Sequence, residues 1–359
     1  MKNRISLLLC IIIIFSLCGC GSTVNTSKQE NTRTVTDGLG RQISVPSEVN
    51  SIVTLGNASR IATYLGLADK MVCTANGDIS DSLYMAYGVY NQDVWSDLPV
   101  ASSGGYGEIN AEVILEADPD VILCTYEEDI VKNIEDQLGR QVIAAPQGTL
   151  FGEDFDEAVR IFGEACNVSE RAEEIVSFIH SCLDDLDART AALIGKPSVL
   201  SAGATFRGGH GIEGVYCNNA ILAAVNANDV TVGLMDGAKG IEIDREQVLN
   251  WNSDIIIFDA GNVGLLKNQY AEAPDFFNEL EAVKNGRLYQ WPNATANYTN
   301  IEIPLASAYY MGKLLSPEAF SDVDFEAKAE EIFDFFIGHG EYLHLLDENS
   351  LGWSQITLD

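Results

Sequence analysis

The sequence has 359 residues, of which 47% are hydrophobic, and its formal net charge is −32. The apolar content, with 14 Phe and 13 Tyr, excludes a disordered chain, and a length prior of roughly 150 residues per domain allows two domains. The excess of carboxylates disfavours binding to nucleic acid or to anionic lipid through the overall field. We attribute the charge to the solubility of a secreted protein.

The N-terminus has the layout of a secretory signal. Lys2 and Arg4 precede an apolar run from Ile5 to Leu17, and small residues close this run. The run is shorter than the roughly 20 residues that a transmembrane helix needs. We therefore predict that residues 1–19 are a signal peptide that is removed.

The end of this signal, Leu17-Cys18-Gly19-Cys20, resembles the lipobox of bacterial lipoproteins. The resemblance implies that Cys20 is acylated, becomes the mature N-terminus and anchors the protein to the extracytoplasmic face of the cell membrane. An ordinary signal peptide that happens to contain cysteines is the alternative. Residues 20–33 are mostly polar, without apolar periodicity, and predict a flexible tether.

Strand and helix patterns alternate after the tether. Residues Thr34 to Val45 alternate around the turn Asp37-Gly38-Leu39-Gly40 and predict a hairpin. Residues 52–56 predict a buried strand, and a helical pattern follows them. A strand, a glycine turn and a helix in this order are typical of a βα unit.

The chain contains an internal repeat with a constant offset of 134 residues. In both copies, a helical segment leads through a polar turn into an apolar strand pattern. The repeat therefore predicts two similar α/β lobes. Matching pairs include Glu112 with Glu246, Leu115 with Leu249, Asp120 with Asp254, and Ile122 with Ile256.

A long helical pattern separates the two lobes. Apolar residues recur at helical spacing from Asn167 to Leu193, and Asn167 with Glu170 predicts a capping box. About 27 residues at 1.5 Å each give a helix of roughly 40 Å, which is long enough to bridge the lobes and to limit hinge opening. The predicted parts are an N-terminal lobe at 34–166, a connecting helix at 167–194 and a C-terminal lobe at 195–359.

The second half of the chain continues with strand and helix patterns. Pro197 to Ser201, Thr231 to Leu234 and Leu288 to Trp291 predict strands, whereas Asp324 to Ile337 predicts an amphipathic helix.

Five cysteines remain after Cys20, widely spaced and without the C-x-x-C pair that would indicate zinc or a redox site. We predict that the first two are buried small hydrophobes, because each ends an apolar run. The five are Cys73, Cys124, Cys166, Cys182 and Cys217.

Several motifs together resemble the substrate-binding proteins of ABC importers for iron complexes and cobalamin. The resemblance covers nearly the whole mature chain, so it is more specific than a single short motif. It is carried by Val35-Thr36-Asp37, by residues 40–46 and 52–56, by Glu108-Ile109-Asn110-Ala111-Glu112 with residues 117–122, and by Asp244-Arg245-Glu246-Gln247-Val248-Leu249.

The resemblance implies a monomeric transport receptor rather than an enzyme. Its fold would be two α/β lobes joined by one long rigid helix, with the ligand in the cleft between them and no intrinsic cofactor. Glu112 and Glu246 match the glutamates that meet arginines of the dimeric permease in this family. Two carboxylates on a rigid body form a two-point electrostatic contact.

Glycine-rich loops with aromatic or polar residues are the predicted ligand contacts, because glycine lets the backbone approach a ligand. The candidates are Tyr106, Arg207, His210, Tyr216, Asn297 and Tyr298. His210 is flanked by glycines and offers a possible contact with the iron of the ligand, although no metal is expected to be bound directly. Arg207 offers a cation for ligand carboxylates.

The sequence does not determine the identity of the ligand. We expect a ferric siderophore or haem, with cobalamin as the second choice. A metal-dependent hydrolase that uses His210 and Glu213 is a weak alternative, because no third ligand or hydrolase motif accompanies them. The third class of function is an adhesin or scaffold without any cleft ligand.

Overall fold

The protein alternates strands and helices through two lobes. The structure is a computed structural model that describes residues 31–103, 106–294 and 300–359, and residues 32–359 form one compact unit. Cys20 and most of the predicted tether lie outside the described residues. Within the described ranges, no helix is both long enough and apolar enough to cross a membrane.

The N-terminal lobe consists of an antiparallel hairpin and short parallel sheets between helices. Its elements are β1 (Thr32–Thr36), β2 (Gln42–Pro46), β3 (Ile52–Leu55), α1 (Ala58–Tyr64), β4 (Thr74–Ala75), α2 (Ala86–Val89), α3 (Gln92–Trp95), β5 (Val100–Ser102), α4 (Ala111–Ala117), β6 (Val121–Cys124), α5 (Glu128–Leu138), β7 (Ile143–Ala144) and α6 (Glu153–Ala165). The strands β3, β6 and β7 pair in parallel in that order. Every residue of β3 and β6 is buried, because apolar clusters lie on both faces of this sheet.

The connecting helix α7 spans Ser169–Thr190, which is 22 residues and about 33 Å at 1.5 Å per residue. The long connector is confirmed, but the capping box predicted at its start is wrong. Asn167 has a left-handed φ of 61°. Its N–H donates to the carbonyl of Glu164 at 3.1 Å, and that of Val168 donates to Gly163 at 2.8 Å. These two bonds form a Schellman motif, so Asn167 ends α6 instead of starting α7.

The C-terminal lobe is built on one large mixed sheet. Its elements are β8 (Ser198–Ala202), β9 (Gly214–Cys217), α8 (Ala220–Ala224), β10 (Asn228–Asp229), β11 (Lys239–Glu242), α9 (Arg245–Trp251), β12 (Ile255–Asp259), α10 (Val263–Glu272), α11 (Pro274–Glu279), α12 (Glu281–Lys284), β13 (Leu288–Trp291), α13 (Glu302–Leu315), α14 (Phe325–Ile337), α15 (Tyr342–Glu348) and β14 (Ser354–Gln355). The strand order is β11-β9-β8-β12-β13-β14, and β10 pairs with β8. The central strands β8, β12 and β13 are parallel.

Two boundaries differ from the predictions. The first strand begins at Thr32, so Thr32 and Arg33 belong to the hairpin rather than to the tether. The strand predicted at Thr231 to Leu234 is wrong, because this segment is a turn. Asp229 accepts hydrogen bonds from the N–H and the hydroxyl of Thr231 at 2.9 and 2.8 Å. Such local bonds compete with strand pairing.

Several local predictions are confirmed. The strand β13 matches the predicted range, and Asp324 caps α14 by accepting from the N–H groups of Glu326 and Ala327. The cysteines from Cys73 onward are all buried and free. Burial raises the pKa of Cys124 to about 12, so its thiol stays protonated and unreactive near neutral pH.

The C-terminal helices return to the N-terminal lobe, where α14 packs on α1. Arg171 in α7 donates to the carbonyls of Tyr64 in α1 and Phe335 in α14. The hydroxyl of Tyr342 in α15 donates to the carbonyl of Leu83. One apolar cluster therefore extends from the N-terminal strands through these helices into the C-terminal lobe.

Two buried hydrogen bonds join α1 to the start of α13. Arg60 is 1% exposed, and its Nε donates to Oδ1 of Asn300 at 2.9 Å. Tyr64 donates its hydroxyl to Glu302, which is fully buried, and this burial raises the pKa of Glu302. Removing one member of a buried polar pair leaves the other without its partner, which is costly. These bonds therefore oppose separation of the two lobes.

The internal repeat has the same backbone geometry in both copies. The helices α4 and α9 each have seven residues. They end at Asp118 and Asn252, whose left-handed φ values are 43° and 41°. Asp and Asn tolerate this conformation better than most residues, which explains these residue types after the helix in each copy.

Each copy also contains a reciprocal Ser–Asp pair. The N–H of Asp120 donates to Oγ of Ser51 at 3.0 Å, and the N–H of Ser51 donates to the carboxylate of Asp120 at 3.0 Å. Asp254 and Ser198 form the same two bonds at 2.9 and 2.8 Å. The repeated aspartate therefore fastens the helix–strand turn to the neighbouring strand.

We expect Asp120→Ala and Asp254→Ala each to lower the free energy of unfolding by about 1–2 kcal/mol, since each removes a charge-assisted acceptor from backbone N–H groups. Urea unfolding followed by circular dichroism measures the change. Asp136→Ala, at an exposed position in α5, is the control and should change stability by less than about 0.5 kcal/mol. Equal losses in all three variants would contradict the structural role of the pairs.

Candidate functional site

A cavity of about 340 Å³ lies between the two lobes. The wall from the N-terminal lobe is Gly148-Thr149-Leu150, in the loop after β7. The wall from the C-terminal lobe comes from β9, β11, β12, β13, the start of α8 and adjacent loops. It includes Tyr216, Cys217, Asn219, Lys239, Asp259 and Trp291.

The strand order of the C-terminal sheet explains this wall. Because β8, β12 and β13 are adjacent and parallel, their carboxyl ends meet at one edge. Asp259 is the last residue of β12, and Trp291 is the last residue of β13. Ligands of open α/β sheets bind at this edge, so the cavity lies where the topology predicts a binding site.

Asp259 is a buried carboxyl group at this edge. It is 2% exposed. It accepts hydrogen bonds from the N–H of Thr205 at 2.8 Å and from the indole of Trp291 at 3.3 Å. Burial nevertheless raises the pKa of Asp259 to about 7, because the ionised form loses more solvation than these bonds return. The charge on the cavity wall therefore changes near neutral pH.

Among the predicted ligand contacts that the structure describes, Tyr216 is the one in the cavity wall. Its hydroxyl donates to the carbonyl of Thr205 at 2.5 Å, and its ring lies edge to face with Phe206 at 6.5 Å. The hydrogen bond fixes the ring orientation. A fixed aromatic face is suited to packing against a flat ligand.

Thr149 supplies a hydroxyl from the opposite lobe. Its N–H and hydroxyl donate to the carboxylate of Asp154 at 2.9 and 2.7 Å. Partial burial raises the pKa of Asp154, but these hydrogen bonds outweigh it and leave the pKa below its usual value. The loop is therefore held by a charged acceptor.

His210 lies outside this cavity, in a groove of about 660 Å³ on the C-terminal lobe alone. Its ring stacks on Phe206 at 3.9 Å. Nε2 donates to the carbonyl of Phe206 at 2.8 Å, and Nδ1 lies 3.0 Å from Glu242. Both ring nitrogens are engaged within the protein, so the structure gives His210 a loop-fixing role and does not bring it to the cleft.

The larger groove is a weaker candidate for the ligand site than the smaller cavity. Glu213, Glu242, Asp244 and Glu272 line it. Partial burial raises the pKa of Glu213, but hydrogen bonds from Arg245 and Gln269, both at 2.6 Å, leave the pKa below its usual value. Glu213 is therefore a structural ion-pair partner and not the free base that a hydrolase needs.

The other predicted ligand contacts fall elsewhere. Arg207 is exposed at the tip of a tight turn, with a left-handed φ of 51°. Tyr106 is 54% exposed, packs against Tyr126 and donates to Glu127. Neither lines the cavity. The remaining two predicted contacts, Asn297 and Tyr298, lie outside the described residues.

The two glutamates of the repeat are exposed on matching helices. Glu112 is in the first turn of α4, and Glu246 is in the first turn of α9. Negative charge in a first turn is favourable, because the N-terminal end of a helix carries partial positive charge. The pair therefore fits the fold and remains available at the surface.

Sequence reasoning missed Asp259, Trp291 and Thr149 as cavity residues. The sequence contains a signal for Asp259 and Trp291, because each of them ends a strand-like run. Searching the carboxyl ends of predicted strands would have found them.

Comparison with known proteins identifies the family. A family model described as "Periplasmic binding protein" matches residues 52–295. The molybdate-binding protein MolA of Haemophilus influenzae is 20% identical over 341 residues, covering 85% of this chain and 90% of MolA.

Solved structures agree on the fold. A periplasmic solute binding protein of Veillonella parvula matches with a TM-score of 0.68 at 21% identity, covering 86% of this chain and 94% of that protein. The periplasmic haem binding protein HutB of Vibrio cholerae matches with a TM-score of 0.54 at 13% identity, covering 75% and 100% of the two chains. Because the family model spans well over half of the sequence, the chain belongs to the periplasmic binding protein family, solute receptors of ABC importers and not enzymes.

Proposed function

We propose that this receptor captures an iron complex, either a ferric siderophore or haem, and delivers it to its permease. The observation that carries the proposal is the cavity between the lobes, bounded by Thr149 on one side and by Tyr216, Asp259 and Trp291 on the other. Its volume of about 340 Å³ is within the roughly 300–1,000 Å³ typical of small-molecule sites. A ligand there contacts both lobes at once.

The composition of the wall supports an organic iron complex over a small oxyanion such as molybdate. Tyr216 and Trp291 provide aromatic surface, which suits a flat chelate or macrocycle. Ionised Asp259 would repel an oxyanion. The wall residue with an opposing charge is Lys239, which is exposed and therefore screened by solvent.

We also propose that a lipid on Cys20 anchors the receptor and that Glu112 and Glu246 dock it on the permease. Both glutamates are exposed on equivalent helices of the repeat. The helices α4 and α9 pack on separate apolar clusters, one in each lobe, and the core between the lobes joins the sheets that carry these helices. A fixed pair of charges supports docking on a symmetric dimer, since each glutamate then meets the same surface on one subunit.

A thermal-shift panel tests the ligand proposal. We expect haem or a ferric siderophore to raise Tm by several degrees at about 100 times its Kd, because a ligand that binds only the folded state stabilises it. Cobalamin and molybdate are the comparison ligands. A Tm shift with cobalamin alone, or with molybdate alone, would contradict the iron proposal and identify that ligand instead. No shift with any of the four ligands would favour a scaffold.

Charge reversal at both Glu112 and Glu246 tests the docking proposal. We expect the double Glu→Lys variant to keep ligand affinity within about twofold and to lose cellular uptake, because the docking face lies outside the cavity. Isothermal titration measures affinity, and accumulation of the labelled ligand measures uptake.

Two variants serve as controls in the uptake experiment. Glu157→Lys changes the charge of an exposed helix residue outside the repeat and should leave uptake unchanged. Cys20→Ser should abolish incorporation of labelled fatty acid into the receptor, which checks the anchor. Loss of ligand binding in the Glu112 and Glu246 variant would count against docking.

Asp259 gives the empty receptor a pH signature. Its pKa rises from 3.8 to about 7 on folding, so between these values the folded state binds more protons than the unfolded state. The contribution of Asp259 to the free energy of unfolding is therefore greatest at low pH. It falls as pH rises toward 7, by at most about 4 kcal/mol. Asp259→Asn should remove this loss.

Unfolding free energies of the wild type and Asp259→Asn at pH 5 and pH 8 measure the effect. We expect the wild type to lose stability relative to the variant between the two pH values, whereas Asp136→Asn should follow the wild type. A constant difference between the wild type and Asp259→Asn would show that Asp259 does not titrate in this range.

A further inference from the structure

The two copies of the repeat have diverged at most positions, and the structure explains some of the identities that remain. Asp120 and Asp254 form the reciprocal pairs with serine described above. Ile122 and Ile256 are buried in the central strands. These residues are kept in both copies because the fold needs them.

Leu115 and Leu249 are also identical, although a large part of each side chain is exposed. They occupy equivalent positions in α4 and α9 and are 46% and 38% exposed, whereas the preceding residues, Ile114 and Val248, are fully buried. A single exposed leucine needs no explanation. The same exposed leucine in two diverged copies does, since water gives no reason to keep it.

The next exposed position of the repeat provides an internal comparison. Residue 116 is glutamate in the first copy, and residue 250 is asparagine in the second copy, and both are exposed. Exposure alone has therefore not preserved the residue type. The residue type is the same in both copies one position earlier, at Leu115 and Leu249.

Each leucine shares a helix face with a docking glutamate. Leu115 follows Glu112 by three residues, and Leu249 follows Glu246 by three. Residues at this spacing are neighbours on a helix surface, with Cβ atoms about 5–6 Å apart. Each lobe therefore presents one carboxylate beside one apolar side chain.

We propose that Leu115 and Leu249 are apolar anchors that insert into equivalent pockets on the two subunits of the permease, each next to a cationic group that meets the glutamate. The inference rests on the proposed docking function and adds the residues that give the contact its apolar part. Two like points on one rigid body fit a partner with two-fold symmetry. A second copy of this chain is disfavoured, because its net charge of −32 and its own glutamates would repel this face.

Photo-crosslinking tests the geometry in the membrane of the cell that makes the protein. A benzoylphenylalanine replaces Leu115, Leu249 or, as control, Val94, which is 62% exposed in the N-terminal lobe. We expect the first two positions to crosslink to the same peptide of one integral membrane protein, and Val94 to give no such product. Different peptides for the two leucine positions, or none, would overturn the matched pockets.

Substitution then tests the contribution to affinity, using the purified permease–ATPase complex in nanodiscs. We expect Leu115→Gln and Leu249→Gln each to raise the Kd of docking about tenfold and the double variant about a hundredfold. Leucines that become buried on docking at two separate sites contribute independently. Val94→Gln should bind as the wild type does. Ligand affinity should be unchanged in every variant.

The outcomes separate this inference from the function on which it rests. Normal docking of the double leucine variant together with failure of the Glu112 and Glu246 variant would refute the anchors and leave the docking glutamates standing. Normal docking of both variants would refute the docking proposal as well. A loss caused by only one leucine would refute the two-fold match.

Discussion

The structure depends on the packing that holds its two lobes together. Arg60 and Tyr64 of α1 bond to Asn300 and Glu302 in the fully buried region before and within α13. Opening the lobes would expose or orphan these groups, and the apolar cluster around them would be divided. These contacts therefore oppose widening of the cleft.

This constraint organises the rest of the molecule. With the lobes fixed, the carboxyl ends of β12 and β13 face the loop after β7 across a small cavity, and Asp259 is buried at its edge. The helices α4 and α9 lie outside this cavity, each on the apolar cluster of its own lobe. The cavity and the two exposed glutamates are therefore located at different faces.

Local patterns predicted much of the fold, whereas the cavity depends on long-range contacts. The repeat, the hairpin and the long connector follow from periodicity and turn residues within short stretches. Asn167 shows where such reasoning fails, because a residue suited to start α7 instead ends α6. Asp259 and Trp291 meet only because β12 pairs with β13, and no property of either segment alone states that pairing. The glycine neighbours of His210 predict a ligand contact, yet its ring nitrogens contact the carbonyl of Phe206 and the carboxylate of Glu242 instead.

The two lobes share one core, so opening the cleft would break buried contacts. A ligand shifts a conformational equilibrium only through a difference in affinity between two forms. Under the proposed docking, an empty receptor of the same shape would compete with a loaded one for the permease. The import rate would then depend on the fraction of receptor that is loaded as well as on its total amount.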